Sequence, residues 1–359
     1  MARRDNARLA MIALQGVTPD QLALACGISQ AEARKIVAAV HRSGSFEGVQ
    51  GVRRVTLEAL RAQGASVPTL ELRARRPSAL DPFVKLALAT HDGHVVETVR
   101  IPLERAGRFS ACVSSQAGCA LGCVFCATGR LGLARNLATW EIVEQVRAVR
   151  ATLGQPPARG ERVHGVVFQG MGEPLANVER VLEAIAVFSD PCALAIDARA
   201  ITVCTSGLPA GIRRLAREAP KVRLAVSIAS ARRDVRRVLM PIDDAHPLDE
   251  VIGAVEEHAS LTGLAPLWAV TPLSGVNDTD DDARALADLA RRFEARAGVR
   301  PRLSVVPYNA IDESGRDPFS RGDVERFVAA LEAAGLHPHL RYSGGADVGA
   351  ACGQLAGRG

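Results

Sequence analysis

Gly118-Cys-Ala-Leu-Gly-Cys-Val-Phe-Cys-Ala-Thr-Gly129 places Cys119, Cys123 and Cys126 at C-x3-C-x2-C spacing, with an aromatic residue just before the third sulfur. Three thiolates on one tight loop can hold three irons of a four-iron cluster and leave the fourth without a protein ligand, whereas ordinary clusters take four cysteines. An open metal position is where a substrate or cofactor binds, as in catalytic zinc sites. A structural zinc site fits less well. It asks for four ligands, usually two separated C-x2-C pairs; here there is one such pair, and Cys112 is the other thiol nearby. A disulfide is disfavoured without a secretory signal. Three cysteines in eight residues, among Gly and Ala, do not read as packing either.

The whole chain bounds the setting. Its 359 residues are 48% hydrophobic and 23% charged, which is globular and excludes disorder. The N-terminal apolar run is too short for a signal peptide, and no stretch reaches the roughly 20 apolar residues of a membrane span. The expectation is a cytoplasmic protein without membrane attachment. Net charge is +5, unevenly placed: residues 1–90 hold 13 Lys and Arg against 7 Asp and Glu. A basic terminal module beside a neutral body points to a polyanionic partner. The chain has only three lysines (Lys35, Lys85, Lys221), an arginine bias that a GC-rich genome also gives.

From about residue 107 the pattern alternates between β-rich runs and helical stretches. Strands are expected at 109–113, 163–169, 200–205, 222–228, 266–271 and 303–307, rich in Val, Ile and Leu as strands buried on both faces are. Amphipathic helices are expected at 139–153, 178–188, 210–218, 248–262, 280–297 and 321–334, the first capped at Thr139. Six βα units make an α/β fold with a parallel sheet, too few for a closed eight-fold barrel. An open partial (βα)6 barrel fits, with functional residues at the C-terminal strand ends. Ahead of it, 9–14, 20–26, 30–42 and 53–62 read as helices, and Thr18 to Val37 resembles a helix-turn-helix with Gly27 at the turn. A hairpin over 84–89 and 95–101 leads into the barrel. The resulting division is a basic helical accessory domain (1–80), a β-hairpin extension (81–106), the barrel (107–343) and a C-terminal tail (344–359).

Gly170-Met-Gly-Glu-Pro174 follows the second barrel strand. Glycines there let a ligand approach the backbone, and a carboxylate accepts from an ammonium group. The cysteine spacing resembles the radical S-adenosylmethionine (SAM) enzymes. With Ser114-Ser-Gln-Ala-Gly118, the Gly170 segment and the tail Ala350-Ala-Cys-Gly-Gln-Leu-Ala-Gly357, the chain resembles the RlmN/Cfr family of dual-specificity RNA adenine methyltransferases from about Val95 to Gly357.

That resemblance implies a radical SAM barrel with a [4Fe-4S] cluster on Cys119, Cys123 and Cys126, and two SAM molecules per turnover. Gly172 and Glu173 match the segment that holds the methionine amino group. Cys204, Ser227, Ile228, Ala229 and Asn309 stand at further SAM-contacting positions. Adenine C2 and C8 are electron-poor, so simple methyl displacement onto them fails. The family is understood instead to methylate a cysteine, matching Cys352, and to turn that S-methyl group into a radical that adds to the base. A second cysteine, matching Cys112, then releases the product as a Cys112–Cys352 disulfide. A carboxylate matching Glu97 takes the proton from the base. The implied substrate is 23S rRNA, with tRNA as a second candidate and C2 ahead of C8. The implied electron donor is a protein such as flavodoxin, and the implied state a monomer. Cys26, Cys192 and Cys204 remain as packing residues.

Three places depart from the family pattern. Cys204-Thr-Ser-Gly207 stands for Ser-Thr-Ser-Gly, Ser227-Ile-Ala-Ser230 for Ser-Leu-His-Ala, and Arg341-Tyr-Ser-Gly-Gly345 for a Lys/Thr-Arg-Gly pattern. These mark a divergent paralogue. Two alternatives stay open: the same mechanism on another nucleic acid or a small molecule, and a helix-turn-helix regulator that senses redox state through its cluster.

Overall fold

The Val-, Ile- and Leu-rich runs build one ten-stranded sheet whose C-terminal strand ends carry the residues singled out above. The computed structural model describes residues 12–154, 160–311 and 317–357. Residues 9–11 of the first expected helix lie outside these. Its remaining part is a short strand, β1 (Ile12–Ala13), and a 3-10 turn, Leu14–Gly16.

Three helices follow: α1 (Pro19–Cys26), α2 (Gln30–Ser43) and α3 (Arg54–Ala62). Thr18 starts α1 with a reciprocal cap. Its hydroxyl accepts from the Gln21 N–H, and its own N–H donates to Gln21 Oε1 at 2.8 Å. Gly27 ends the helix at φ +62°, where an L side chain would be strained. Leu22, Ile36, Val37, Val40, Leu57 and Leu60 meet Leu14 in a small core of their own. Glu32 ties α2 to α3 through Arg53 and Thr56, and Arg53 holds its carboxyl well below the usual range. A short strand, β2 (Ala65–Ser66), pairs with β1. Gly16 then seats the module on the barrel, where a Cβ would stand 2.9 Å from Trp140.

The sheet begins with an antiparallel run: β3 (Glu71–Pro77), β4 (Val84–Ala89), β5 (Val95–Pro102) and β6 (Arg108–Cys112). β4 and β5 are the expected hairpin. β3 was not expected, because its Glu-Leu-Arg-Ala-Arg-Arg-Pro lies almost wholly exposed on the sheet edge. Charge of that kind blunts an open edge and leaves no alternation to read. A two-stranded ribbon, β7 (Gln116–Cys119) with β8 (Gly132–Asn136), then flanks the cysteine loop.

After α4 (Thr139–Ala151) the chain alternates through β9 (Arg162–Phe168), α5 (Val178–Ser189), β10 (Ile201–Thr205), α6 (Pro209–Glu218) and β11 (Arg223–Ser227). It continues with α7 (Arg233–Leu239), α8 (Leu248–Thr262), β12 (Leu267–Val270), α9 (Asp280–Ala297), β13 (Arg302–Val305), α10 (Val324–Ala333) and β14 (His339–Leu340). β6 and β9 to β14 run parallel, in the order β6-β9-β10-β11-β12-β13-β14. All six expected strands are present, and β14 adds a short seventh.

Two helix starts differ from expectation. α4 is capped at Ala138, whose N–H donates to Glu141 Oε2 at 2.8 Å, so Thr139 is already helical. α10 starts at Val324 because Asp323 caps it, while Arg321 bridges to Leu273. The core lies between sheet and helices, with Trp268 edge-on to Phe293 at 5.2 Å between centroids.

Beyond β14 the tail turns back across the mouth to the antiparallel strands. Asp347 accepts from Ser78 and Ala79, and the carbonyl of Gly349 accepts from Lys85. The N–H groups of Ala356 and Gly357 donate to Glu97 at 2.8 and 3.2 Å.

Candidate active site

Backbone conformation brings the cysteine loop over the mouth. Gly118 (φ +79°) turns β7 so closely against β8 that a Cβ would fall 2.0 Å from the Gly132 carbonyl oxygen. Gly129 also packs closely on the loop, where a Cβ would stand 2.7 Å from the Cys123 carbonyl oxygen. Burial pushes the Cys119 thiol up to about 11 and Cys123 up to about 12, and raises Cys126. Cys123 Sγ lies 3.9 Å from Ser206 Oγ. Among the described residues no three His, Cys, Asp or Glu side chains are grouped to hold a single metal ion. A cubane asks for a different arrangement, one thiolate to each of three irons.

Cys123 and Cys126 line a cleft with Gly172, Glu173, Cys204, Ser227, Ala229, Asn309 and Cys352. Glu173 has a buried carboxylate that accepts from the N–H groups of Leu175 (3.0 Å) and Ser206 (2.8 Å). Burial raises its pKa, and no cation pairs with it among the described residues. A buried carboxylate with spare lone pairs suits an incoming ammonium group. Gly170 and Gly172 have a second reason to be glycine. A Cβ at Gly170 would stand 2.6 Å from the backbone of Val113, and one at Gly172 2.5 Å from Gln116. The glycine segment is thus packed onto the chain that leads into the cysteines.

The remaining expected residues differ in their surroundings. Ile228 is fully buried, off the cleft lining, and its N–H donates to Ala269. Asn309 Nδ2 donates to Ser343 Oγ at 2.9 Å and to the Cys352 carbonyl at 3.1 Å, so its amide positions the tail. Glu97 has no exposed surface. It pairs with buried Lys85 at 3.1 Å and accepts from the tail, away from the cleft lining. Cys112 is buried at the end of β6, where it lines a smaller cavity with Arg341 and Cys352. Burial raises its thiol pKa. Cys204, expected both at a SAM-contacting position and as packing, lines the cleft and also packs against the barrel core, while Cys26 and Cys192 pack on the N-terminal core.

Two residues were not anticipated. Arg236 on α7 is fully buried and paired with Asp243 at 3.0 Å. Its guanidinium donates to the carbonyls of Ser206 (2.9 Å), Ser227 (2.8 Å) and Ile228, which clamps the ends of β10 and β11. Asn277 donates to the Ala229 carbonyl at 2.7 Å and to that of Thr271 at 3.0 Å. This holds Ala229 at φ +57°, a left-handed conformation rare for a residue with a Cβ. An arginine-rich run and a lone Asn carry no distinctive spacing.

A parallel open sheet with three cysteines on a loop over its C-terminal strand ends defines a radical SAM enzyme. The Radical SAM superfamily model matches residues 113–290. A probable RNA methyltransferase of Sorangium cellulosum is 58% identical over 94% of this chain and 90% of its own. A probable dual-specificity RNA methyltransferase RlmN of Moorella thermoacetica is 38% identical, over 96% and 97%. The crystal structure of a radical SAM methyltransferase from Sphaerobacter thermophilus superposes with a TM-score of 0.84 at 33% identity, over 97% of this chain and all of that one. The chain belongs to the RlmN/Cfr family of radical SAM RNA methyltransferases. Its cofactors are a [4Fe-4S] cluster and SAM, and the buried thiols beside the uncompensated Glu173 carboxylate fit both. Membership sets aside the regulator reading. Among the described residues no helix is long and apolar enough to cross a membrane.

Proposed function

We propose that this chain methylates an adenine carbon, C2 ahead of C8, in 23S rRNA, with tRNA as a second substrate, and that Cys352 carries the methyl group. Cys119, Cys123 and Cys126 hold the cluster, and Gly172, Glu173, Cys204, Ser227, Ala229 and Asn309 surround SAM. Bound together, these cofactors supply a methyl group and a hydrogen-abstracting radical. Cys352 faces the cleft beside Cys126, and its sulfur takes the methyl carbon as its proton leaves. Once that carbon is bonded to the base, the Cys112 sulfur attacks Cys352. The S–S bond forms as the sulfur–carbon bond breaks. Cys112 and Cys352 line one cavity, which supports this pairing. Glu97 takes the proton of the base in the state where Ala356 and Gly357 have left its carboxylate.

The observation that carries the reading is the placement of Cys352 on both cavities, facing the cluster cysteines on one side and Cys112 on the other. The basic N-terminal module grips the RNA backbone, with exposed Arg34, Arg42 and Arg75 available for it. The protein works as a monomer with a flavodoxin-like electron donor. Anaerobic reconstitution with methyl-labelled SAM and total RNA, followed by nucleoside mass spectrometry, tests the substrate. Labelled 2-methyladenosine from 23S rRNA supports it, and label on another nucleoside refutes it.

A further inference from the structure

A further cavity, of about 550 Å³, opens at the end of the sheet opposite the cysteine loop. That volume lies within the roughly 300–1,000 Å³ of small-molecule sites. Arg223 and Arg302, each the first residue of its strand, stand at its lower rim beside Arg199. Arg341 lines it too, and among the described residues none of these four guanidinium groups is ion-paired. Asp197 is the lone carboxylate in the lining, and it accepts from the Arg199 backbone N–H at 2.9 Å. Nearby, Arg108 and Arg162 both approach His164 Nδ1, and burial with these two charges holds its pKa below the ordinary value. The cavity is therefore strongly cationic and in want of anions.

One residue sets this cavity apart from a surface patch. Cys204 lines it and also lines the front cleft beside Cys352. Thr202 and Cys204, two positions apart on β10, share the strand face that looks into the cavity. A thiol thus stands where a cationic chamber reaches the methyl-carrying site from behind.

We propose that the rear cavity binds a low-molecular-weight anionic thiol, or its disulfide, and presents its sulfur to Cys204. The carboxylates of the ligand meet the rim arginines. Burial pushes the Cys204 thiol up to about 12 while the Arg341 charge acts the other way, so exchange runs through the small thiolate fraction, which attacks one sulfur of the bound disulfide. A bond forms between Cys204 Sγ and that sulfur, the ligand's S–S bond breaks, and the second thiol departs as thiolate, so atoms and electrons balance with no further oxidant. Attack by a second anionic thiol on the mixed disulfide restores Cys204. Exchange there alters the front cleft without a ligand passing through it.

The test uses cluster-loaded protein with SAM bound, under anaerobic conditions. It is treated with glutathione disulfide (anionic) or with cystamine (cationic) at equal concentration, and peptide mass spectrometry follows Cys204. Glutathione disulfide should label Cys204 about tenfold faster at low salt, an advantage that shrinks as ionic strength rises. The double variant Arg223→Gln, Arg302→Gln should lose most of that preference with an unchanged melting temperature. Equal rates for the two probes would overturn the proposal. So would labelling of Cys204 only when SAM is absent, which means entry from the front, or no labelling at all. Because no methyl transfer is read, a failed methylation assay leaves this test standing.

Discussion

Arg236 shows how much of the site rests on single buried side chains. Its guanidinium joins three carbonyls at the ends of β10 and β11, and Asp243 balances its charge. Replacing it with Gln leaves the buried Asp243 carboxylate with only the more distant Arg233 at 3.7 Å, a loss toward the low end of about 3–5 kcal/mol. Chemical denaturation should show that loss, together with weaker SAM binding as the Ser206 and Ser227 loops relax. Cys112 and Cys352 differ in consequence. Cys112→Ala should leave methyl transfer to the protein intact but trap a covalent protein–RNA adduct, seen as a nuclease-resistant nucleotide on the Cys352 peptide. Normal turnover by that variant would remove the resolving role. The cysteine loop and Glu173 were legible in the sequence because spacing and a strand-end position identify them. Arg236 and Asn277 were not, since what they do depends on carbonyls far away in the chain. Glu97 was legible as a position, yet its burial, its Lys85 partner and its hold on the tail exist only in the fold.

Among the elements, the tail is held by a few polar contacts across the mouth. Lys85→Met leaves Glu97 buried without its cation and removes the donor to Gly349. The tail should then detach more readily, read as faster amide exchange at residues 349–357 with the barrel strands unchanged. Helix α8 carries a pH-sensitive group. His258 is fully buried, neither ring nitrogen has a hydrogen-bond partner among the described residues, and burial brings its pKa down to about 4. The unfolded chain takes up this proton near pH 6.5, well before the folded one does. The resulting stability is therefore complete above about pH 6.5 and declines as pH falls toward 4, by about 3 kcal/mol. Thermal melts of His258→Leu should lose that part of the acid sensitivity; an unaltered profile would contradict it. Strands of Val, Ile and Leu were readable in advance, since burial on both faces writes itself into composition. β3 and α7 were missed because their charged residues hide an edge strand in one case and a buried clamp in the other.

For the whole molecule, the sheet order explains the division of labour. Parallel strands gather Glu173, Cys204, Ser227 and Asn309 at one end. The antiparallel strands extend the sheet to a charged edge and provide Glu97 and Lys85, to which the returning tail is fastened. Cys204 and Ala229, at positions where the family resemblance implies Ser and His, form part of the cleft wall with Glu173. Central to this account is that Cys352 holds the methyl group before RNA arrives. Mass spectrometry of the Cys352 peptide, after anaerobic incubation of cluster-loaded protein with deuteromethyl SAM and reductant but without RNA, tests it most directly. The account predicts a deuterated methyl group on Cys352. An unmodified Cys352 in protein that goes on to label RNA would contradict it.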